Sequence, residues 1–164
     1  SSVKIGRVSQ EKEQGFRRLL LPGSLALLPG VAQWLEDCHQ LGLRQVVGSS
    51  APMANIVAML QVLDIADYFQ AILSGYRVPR GKPDPLLFLR CAAAVESTPD
   101  ACLVIEDSIY GIEAAHRAGM PSIAVGPLAG AATLQPYLQT EQPPCMAVAK
   151  LTELTPQQVF SFTL

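Results

Sequence analysis

Short apolar runs alternate with amphipathic stretches from Pro29 onward, and this alternation constrains the fold more than any other feature of the sequence. Each run ends at glycine, serine or an acidic residue, and the most apolar run, 102–105, stops abruptly at Glu106. Alternating strand and helix patterns are typical of βα units, which build parallel sheets. The apolar fraction is 49% and only 16% of residues are charged, as expected where strands are covered on both faces. The sequence therefore predicts a layered α/β protein.

The chain length and charge favour a single domain that acts on a small molecule. The 164 residues suffice for one domain with one hydrophobic core. A net charge of -2 without long runs of either sign argues against nucleic acid or an anionic membrane as a partner. No apolar stretch reaches the length of a membrane span, and the first four residues show no signal-peptide pattern. We expect a cytoplasmic protein.

The four cysteines are widely spaced and form no C-x-x-C pair. Most of them fall within apolar helix or strand patterns, so buried free thiols in a reducing compartment are the favoured interpretation. A four-cysteine metal site is not excluded, but no spacing supports it. The cysteines are Cys38, Cys91, Cys102 and Cys145.

Periodicity and turn residues give a set of predicted elements. The first twenty residues form a polar, helical lead-in. The tail is less regular, with a helix near 133–139, a strand near 146–148 and a short helix from Pro156. Between these parts we predict helices over 30–41, 52–63, 85–95 and 109–118, and strands over 44–47, 71–73, 102–105 and 122–125.

Three polar segments follow predicted strands, where the loops of a parallel sheet converge and ligands bind. Each has an ordinary explanation: a turn with a helix cap for the first, a solvated surface lysine for the second, and acidic residues at a helix start for the third. One phosphoryl-transfer site would explain all three together. The segments are Gly48-Ser49-Ser50, Gly81-Lys82-Pro83-Asp84 and Glu106-Asp107-Ser108.

Such a site needs hydroxyl and backbone N–H groups to hold phosphate oxygens, a lysine to neutralise negative charge, and carboxylates to hold a hard divalent cation. Lysine is a compact point charge that suits phosphate. Mg²⁺ prefers oxygen ligands and retains several waters. The residue types in the three segments match these requirements.

The order of the segments resembles motifs two, three and four of the haloacid dehalogenase superfamily. An apolar run precedes Ser49, Lys82-Pro83 lies in a polar loop, and a second apolar run precedes Glu106-Asp107. The Glu-Asp form resembles the β-phosphoglucomutase-like branch, and the resemblance extends over about 27–125. Further matches are Leu27-Leu28-Pro29-Gly30-Val31, Asp84-Pro85 with Phe88 following, Ser108 with Gly111-Ile112-Glu113-Ala114-Ala115, and Ala118-Gly119.

This resemblance implies a three-layer Rossmann-like core with a parallel sheet, and a Mg²⁺-dependent phosphatase or phosphosugar mutase that acts on a small phosphorylated metabolite. Ser49 and the backbone N–H of Ser50 would bind the phosphoryl group. Lys82 would bridge the phosphoryl oxygens and the nucleophilic carboxylate. Asp107 would ligate Mg²⁺ directly, with Glu106 as a second acidic ligand or as its partner.

One part of the family pattern is missing from this sequence. Members begin with a strand that ends in Asp-x-Asp, whose first aspartate attacks phosphorus, and no such element occurs here. Asp64 and Asp67 lie three apart, and Asp37 falls in a helical pattern. The cap domain that selects substrates is also nearly absent, so we assign 1–23 to a cap remnant or linker and 24–164 to the core domain. We expect this chain, as it stands, to be inactive.

The family fold places the missing strand between those leading to Ser49 and Glu106, so its absence would expose two strand edges. A longer parent enzyme is the favoured explanation. A strand from elsewhere in the chain or from a second copy, or a degenerate relative that binds without turnover, would also fit. A non-catalytic binding or assembly module is therefore the main alternative function. A generic nucleotide-binding domain is disfavoured, because 126–130 matches neither a Walker loop nor a dinucleotide fingerprint.

Overall fold

The computed structural model describes residues 2–76 and 78–160, with side chains from residue 11 onward. Helices and short parallel strands alternate along the chain, as the sequence predicts. The helices are α1 (Ser2–Leu19), α2 (Val31–Gln40), α3 (Met53–Val62), α4 (Leu86–Ala94), α5 (Ile109–Ala118), α6 (Gln135–Leu138) and α7 (Pro156–Phe160). The strands are β1 (Val46–Ser49), β2 (Ala71–Ser74), β3 (Val104–Glu106), β4 (Ser122–Val125) and β5 (Cys145–Val148).

The strands form two separate parallel sheets. β1 pairs with β2, so that Val46 lies opposite Ala71 and Ser49 lies opposite Ser74. The second sheet has the order β3-β4-β5. Within residues 2–76 and 78–160 no strand joins β1 to β3. The parallel α/β prediction is confirmed, and the discontinuity falls where the sequence predicts a missing strand.

Helices cover both faces of the three-stranded sheet. On one face, α2 and the carboxyl-terminal segment pack against β4 and β5. On the other, α5 packs against β3 and β4, and α4 lies beside α5 over β1 and β2. Alternation of side chains along parallel strands buried on both faces explains their nearly continuous apolar character. The first cluster contains Trp34, Cys38, Ile123, Val148 and Leu151. The second contains Phe88, Ala92, Val104, Ala114, Ala115, Ala118 and Met120.

The residues at the two ends of α5 determine where this helix begins and ends. Ser108 is its N-cap, and the side chain accepts a hydrogen bond from the backbone N–H of Gly111. Gly119 ends the helix at φ 75°, a left-handed conformation that glycine adopts without steric cost. Ile112 is fully buried, so the helix is fixed along its whole length. The predicted bounds, 109–118, are confirmed.

Two strands begin later than predicted because local hydrogen bonds compete with the ladder. A 3-10 turn precedes β3, and the N–H of Cys102 donates to Pro99 within that turn. The strand therefore starts at Val104 and continues to Glu106. β1 starts at Val46, because the N–H of Gln45 donates to the side-chain oxygen of Gln70 at 2.5 Å. At its other end, the carbonyl of Ser49 accepts from the N–H of Gly75 at 2.7 Å. The polar residues Ser49 and Glu106 are therefore the last residues of β1 and β3.

α1 lies against α3 through one buried amide. Asn55 is 5% exposed, and its side-chain oxygen accepts from Nη1 of Arg17 at 2.6 Å. Its amide nitrogen donates to the Glu13 carboxylate. The assignment of 1–23 to a cap remnant or linker stays a prediction. None of the helices described is both long and apolar enough to cross a membrane.

Candidate functional site

Lys82 and Glu106 form an ion pair at the carboxyl end of β3. The Lys82 ammonium lies 3.3 Å from Oε1 and 3.2 Å from Oε2 of Glu106. Their side chains are only 12% and 13% exposed. A charged pair with so little water around it interacts more strongly than a surface pair. The structure thus brings together residues from two of the three predicted segments.

Phe88 connects Lys82 to the first segment. The Lys82 ammonium lies 4.6 Å from the centre of the Phe88 ring, a cation–π contact. The same ring lies against β1, where a Cβ added to Gly48 would be 3.6 Å from Phe88 and only 2.8 Å from Sγ of Cys91 on the same helix. Glycine at this position lets α4 approach the strand closely. Lys82 is therefore positioned beside the end of β1, where Ser49 is found.

Within the described residues, the hydrogen bonds that hold the Ser49 loop use the Ser49 hydroxyl as an acceptor. Ser49 Oγ accepts from the backbone N–H of Ala51 at 3.2 Å. Ser74, at the end of the paired strand, donates its hydroxyl to the carbonyl of Ala51 at 2.6 Å. Ser50 lies exposed in this turn. These contacts give a compact loop at the carboxyl end of β1 and β2, as phosphate binding by a hydroxyl and N–H groups requires.

Glu106 is held on its other side by Ser108. The hydroxyl of Ser108 donates to Oε1 of Glu106 at 2.7 Å while it accepts from the N–H of Gly111 at 3.1 Å. One hydroxyl therefore caps α5 and orients the carboxylate. Ser108 thereby supports the loop that carries Glu106.

Asp107 lies exposed next to this network. Its carboxylate and that of Glu106 are hard oxygen ligands, and one or two carboxylates with retained waters are enough for Mg²⁺. No cluster of three or more potential metal ligands occurs among the described residues. The donor chemistry fits Mg²⁺, and Asp107 is the freer of the two ligands, because Glu106 already pairs with Lys82.

Asp84 caps the start of α4. Its Oδ1 accepts from the N–H of Leu86, the first residue of α4, at 3.0 Å. Arg80 lies 3.6 Å from its other oxygen. This cap orients the start of the helix that carries Phe88.

A cleft of about 480 Å³ separates β1 from β3. α2 contributes Trp34 and Cys38 to its walls, and α4 contributes Phe88 and Cys91. Glu106 also borders the cleft, so the ion pair lies at its rim. Burial raises the pKa of the Cys91 thiol to about 11, against a smaller lowering by the nearby Lys82 ammonium. Cys91 is thus a neutral wall residue at physiological pH. All four cysteines are free, as predicted, but only Cys38 is buried and the other three are half-buried.

Sequence reasoning did not identify three contacts at this site. They are the cation–π contact of Phe88 with Lys82, the hydrogen bond of Ser74 to the Ala51 carbonyl, and the packing of Glu106 against Gly111. Phe88 looked like an ordinary core residue of a helix, and Ser74 looked like a turn residue. The spacing Glu-Asp-Ser-x-x-Gly was the available signal for Gly111, since it places a glycine in the first turn of a helix beside the acidic pair.

The parallel strands, the helices on both faces and the polar loops at the strand ends define a Rossmann-like α/β protein. The family model of haloacid dehalogenase-like hydrolases matches residues 4–119, and the chain belongs to this family. That model spans Ser49, Lys82 and the Glu106-Asp107 pair.

Relatives place the chain within the β-phosphoglucomutase-like branch of the family. Hexitol phosphatase B of Escherichia coli is 33% identical over 129 residues, which is 79% of this chain and 54% of that protein. Beta-phosphoglucomutase of Bacillus subtilis is 37% identical over 108 residues, 64% of this chain and 47% of that protein. The chain thus spans about half the length of these relatives. The expected β-phosphoglucomutase-like membership is confirmed.

A solved structure shows the same fold. The crystal structure of beta-phosphoglucomutase from Clostridium difficile superposes with a TM-score of 0.81 at 24% identity, covering 98% of this chain and 67% of that chain. Nearly every described element of this chain therefore has an equivalent there.

Proposed function

We propose that the chain provides the phosphate-binding half of a Mg²⁺-dependent phosphoryl-transfer site for small phosphorylated carbohydrates. The observation that carries this proposal is the Lys82 ammonium, which is held by Glu106 and the Phe88 ring at the end of the sheet. A lysine fixed with low exposure is positioned for an anion rather than for solvent. The printed names of the relatives, a hexitol phosphatase and a phosphoglucomutase, support the substrate class.

Each residue has a distinct role in this proposal. The Ser49 hydroxyl donates to a phosphate oxygen, together with the N–H of Ser50. Lys82 neutralises the charge of the phosphate oxygens, since it retains N–H groups beyond those that face Glu106. Asp107, assisted by Glu106, would hold Mg²⁺, which supplies further neutralisation of phosphate charge when bound.

The test is protection by an inorganic anion. Orthophosphate, sulfate and tungstate should raise the melting temperature of the wild type, because a ligand that binds only the folded state stabilises it. Lys82→Ala should lose most of this protection, whereas Lys150→Ala, which alters an exposed lysine distant in sequence, should retain it. Each shift is measured against the same variant without anion, so the stability of the variant itself does not enter. Equal protection of the wild type and Lys82→Ala would refute the role of Lys82.

The cleft favours a second candidate function, the capture of an extended peptide strand. β1 and β3 each pair on one side only within the described residues. In a parallel ladder, alternate backbone groups point to the second side, so both strands offer hydrogen bonds across the cleft. The side chains between them are largely apolar. An incoming strand with apolar residues would satisfy both edges, as in β-strand addition.

A second copy of the chain is the simplest source of such a strand, and a segment of a longer parent protein is the other. Sedimentation of the purified chain distinguishes them, since a dimer shows the first source. Ile105 is 39% exposed and borders the cleft, whereas Met146 on β5 is 38% exposed and does not. Ile105→Lys should therefore reduce association and Met146→Lys should not. Dimers unaffected by Ile105→Lys would exclude the cleft as the interface.

A further inference from the structure

Gly111 is the third residue of α5, and the Glu106 side chain occupies the space next to it. A Cβ added to Gly111 would overlap Cγ, Cδ and Oε1 of Glu106. The backbone of Gly111 does not need glycine, since it is helical and has no positive φ. Alanine is a better helix former than glycine. The glycine is therefore explained by the carboxylate that lies against it rather than by the helix.

The position of Glu106 in turn determines that of Lys82. Ser108 and Gly111 hold the carboxylate against the first turn of α5, through the Ser108 hydroxyl on one side and close packing on the other. Both carboxylate oxygens face the Lys82 ammonium. A displaced carboxylate would leave Phe88 as the remaining described contact of that ammonium.

We propose that Gly111 is a positioning residue for Lys82, which acts by accommodating Glu106 at the start of α5. The packing of Gly111 against Glu106 stands on geometry alone. The consequence for anion binding rests on the proposed function, so the two are tested by separate measurements.

The packing is tested by a double-variant cycle of Gly111→Ala and Glu106→Ala, followed by urea unfolding. Gly111→Ala should lower the unfolding midpoint in the wild-type background. In the Glu106→Ala background the overlap is gone, so the same change should leave the midpoint unaltered or raise it through better helix propensity. Gly15→Ala is the matched control, because a Cβ there meets nothing within 4 Å. It should not lower the midpoint.

An equal loss in both backgrounds would overturn the proposal, since Gly111 would then serve something other than Glu106. If Gly111→Ala fails to fold, the comparison of Glu106→Ala with the double variant still decides: a double variant as stable as Glu106→Ala supports the proposal, and one that is less stable than Glu106→Ala overturns it. None of these outcomes depends on ligand, and they stand even if the wild type binds no phosphate.

Positioning of Lys82 is tested by thermal protection with orthophosphate. Gly111→Ala should lose the protection that the wild type shows, and Gly111→Ala combined with Glu106→Asp should regain it, because aspartate keeps the charge while withdrawing the carboxylate from the added methyl group. Full protection of a folded Gly111→Ala variant would overturn the positioning role. Absence of protection in the wild type would instead refute the proposed function.

Discussion

The indole N–H of Trp34 donates to the carbonyl of Leu151 at 2.8 Å, across 117 residues of chain. It also lies 2.9 Å from the carbonyl of Leu154. Leu151 in turn packs against Gly30, where an added Cβ would come within 3.1 Å of the leucine Cβ. Gly30 precedes α2 at φ 92°, so the start of that helix and the carboxyl-terminal segment approach each other closely. Trp34 therefore closes one wall of the cleft.

We expect Trp34→Phe to destabilise the protein by about 2 to 3 kcal/mol. The change removes the N–H that two carbonyls share and leaves a smaller ring in a site where the side chain is 5% exposed. Trp34 is the sole tryptophan, so circular dichroism must follow urea unfolding in place of fluorescence. Gln33→Ala, one residue earlier on the exposed side of α2, is the control and should change stability by less than about 0.5 kcal/mol. If Trp34→Phe lowered the free energy of unfolding by no more than the control does, the carbonyls of Leu151 and Leu154 would have found other hydrogen-bond donors.

Asn55→Ala should release α1 from α3. Asn55 both accepts from Arg17 and donates to Glu13, so its removal eliminates two contacts between the helices. Each such hydrogen bond contributes about 1 kcal/mol, so the loss of both predicts roughly thirtyfold faster trypsin cleavage after Arg17 and Arg18. The rate is measured by mass spectrometry at low protease concentration. Unchanged cleavage with an unchanged urea midpoint would show that apolar packing alone holds α1.

The thiols of Cys38 and Cys91 should resist alkylation. Burial is the main cause that raises the pKa of each to about 11. At pH 8 a thiol with this pKa holds about a hundredfold less thiolate than one near 9, and thiolate is the reactive form. Iodoacetamide should therefore label Cys38 and Cys91 more slowly in the native protein than in the urea-unfolded protein, by about that factor.

The same two groups make stability depend on pH in the alkaline range. When the pKa of a thiol is higher in the folded state, the thiol ionises first in the unfolded chain as the pH rises. This ionisation favours the unfolded state and so lowers the stability of the protein. The contribution is therefore fully present below about pH 9 and is lost as the pH rises toward about 11. Replacing both cysteines with alanine should flatten this part of the profile. In the iodoacetamide experiment, equal labelling rates of Cys38 and Cys91 in native and unfolded protein would contradict the burial of these thiols.

Hydropathy and turn residues in the sequence predicted the elements well where local signals decide them. The bounds of α5 follow from Ser108 and Gly119, each of which acts within one turn. Strand starts were less accurate, because the hydrogen bond of Cys102 to Pro99 competes with pairing and depends on geometry that periodicity does not encode.

The site residues were predicted in outline, but their partners were not. Strand order and family motifs indicated that Lys82 and Glu106 lie at the same edge. That Glu106 pairs with Lys82, and that Gly111 makes room for it, depends on side-chain directions at the start of α5. Such contacts join positions far apart in the chain, and no pattern along one element specifies them.

The last prediction is that this 164-residue chain does not turn over phosphomonoesters by the mechanism of its family. Covalent phosphoryl transfer requires a carboxylate held in line with phosphorus, and positioning supplies much of the rate. The sequence contains no Asp-x-Asp, and in the described part of the chain the Ser49 hydroxyl contacts a backbone N–H rather than a base that would activate it. Loss of a nucleophile costs on the order of 10⁴ to 10⁶ in rate.

The measurement is hydrolysis of p-nitrophenyl phosphate with and without Mg²⁺, on the wild type beside Asp107→Asn. Both should show only background rates. Supplying an amino-terminal strand that ends in Asp-x-Asp, together with a cap from a relative, should produce Mg²⁺-dependent activity if Ser49, Lys82 and Asp107 have the roles proposed above. Asp107→Asn in that longer protein should abolish the Mg²⁺ dependence. Robust Mg²⁺-dependent turnover by the 164-residue chain, lost in Asp107→Asn, would show that another of its residues supplies the nucleophile.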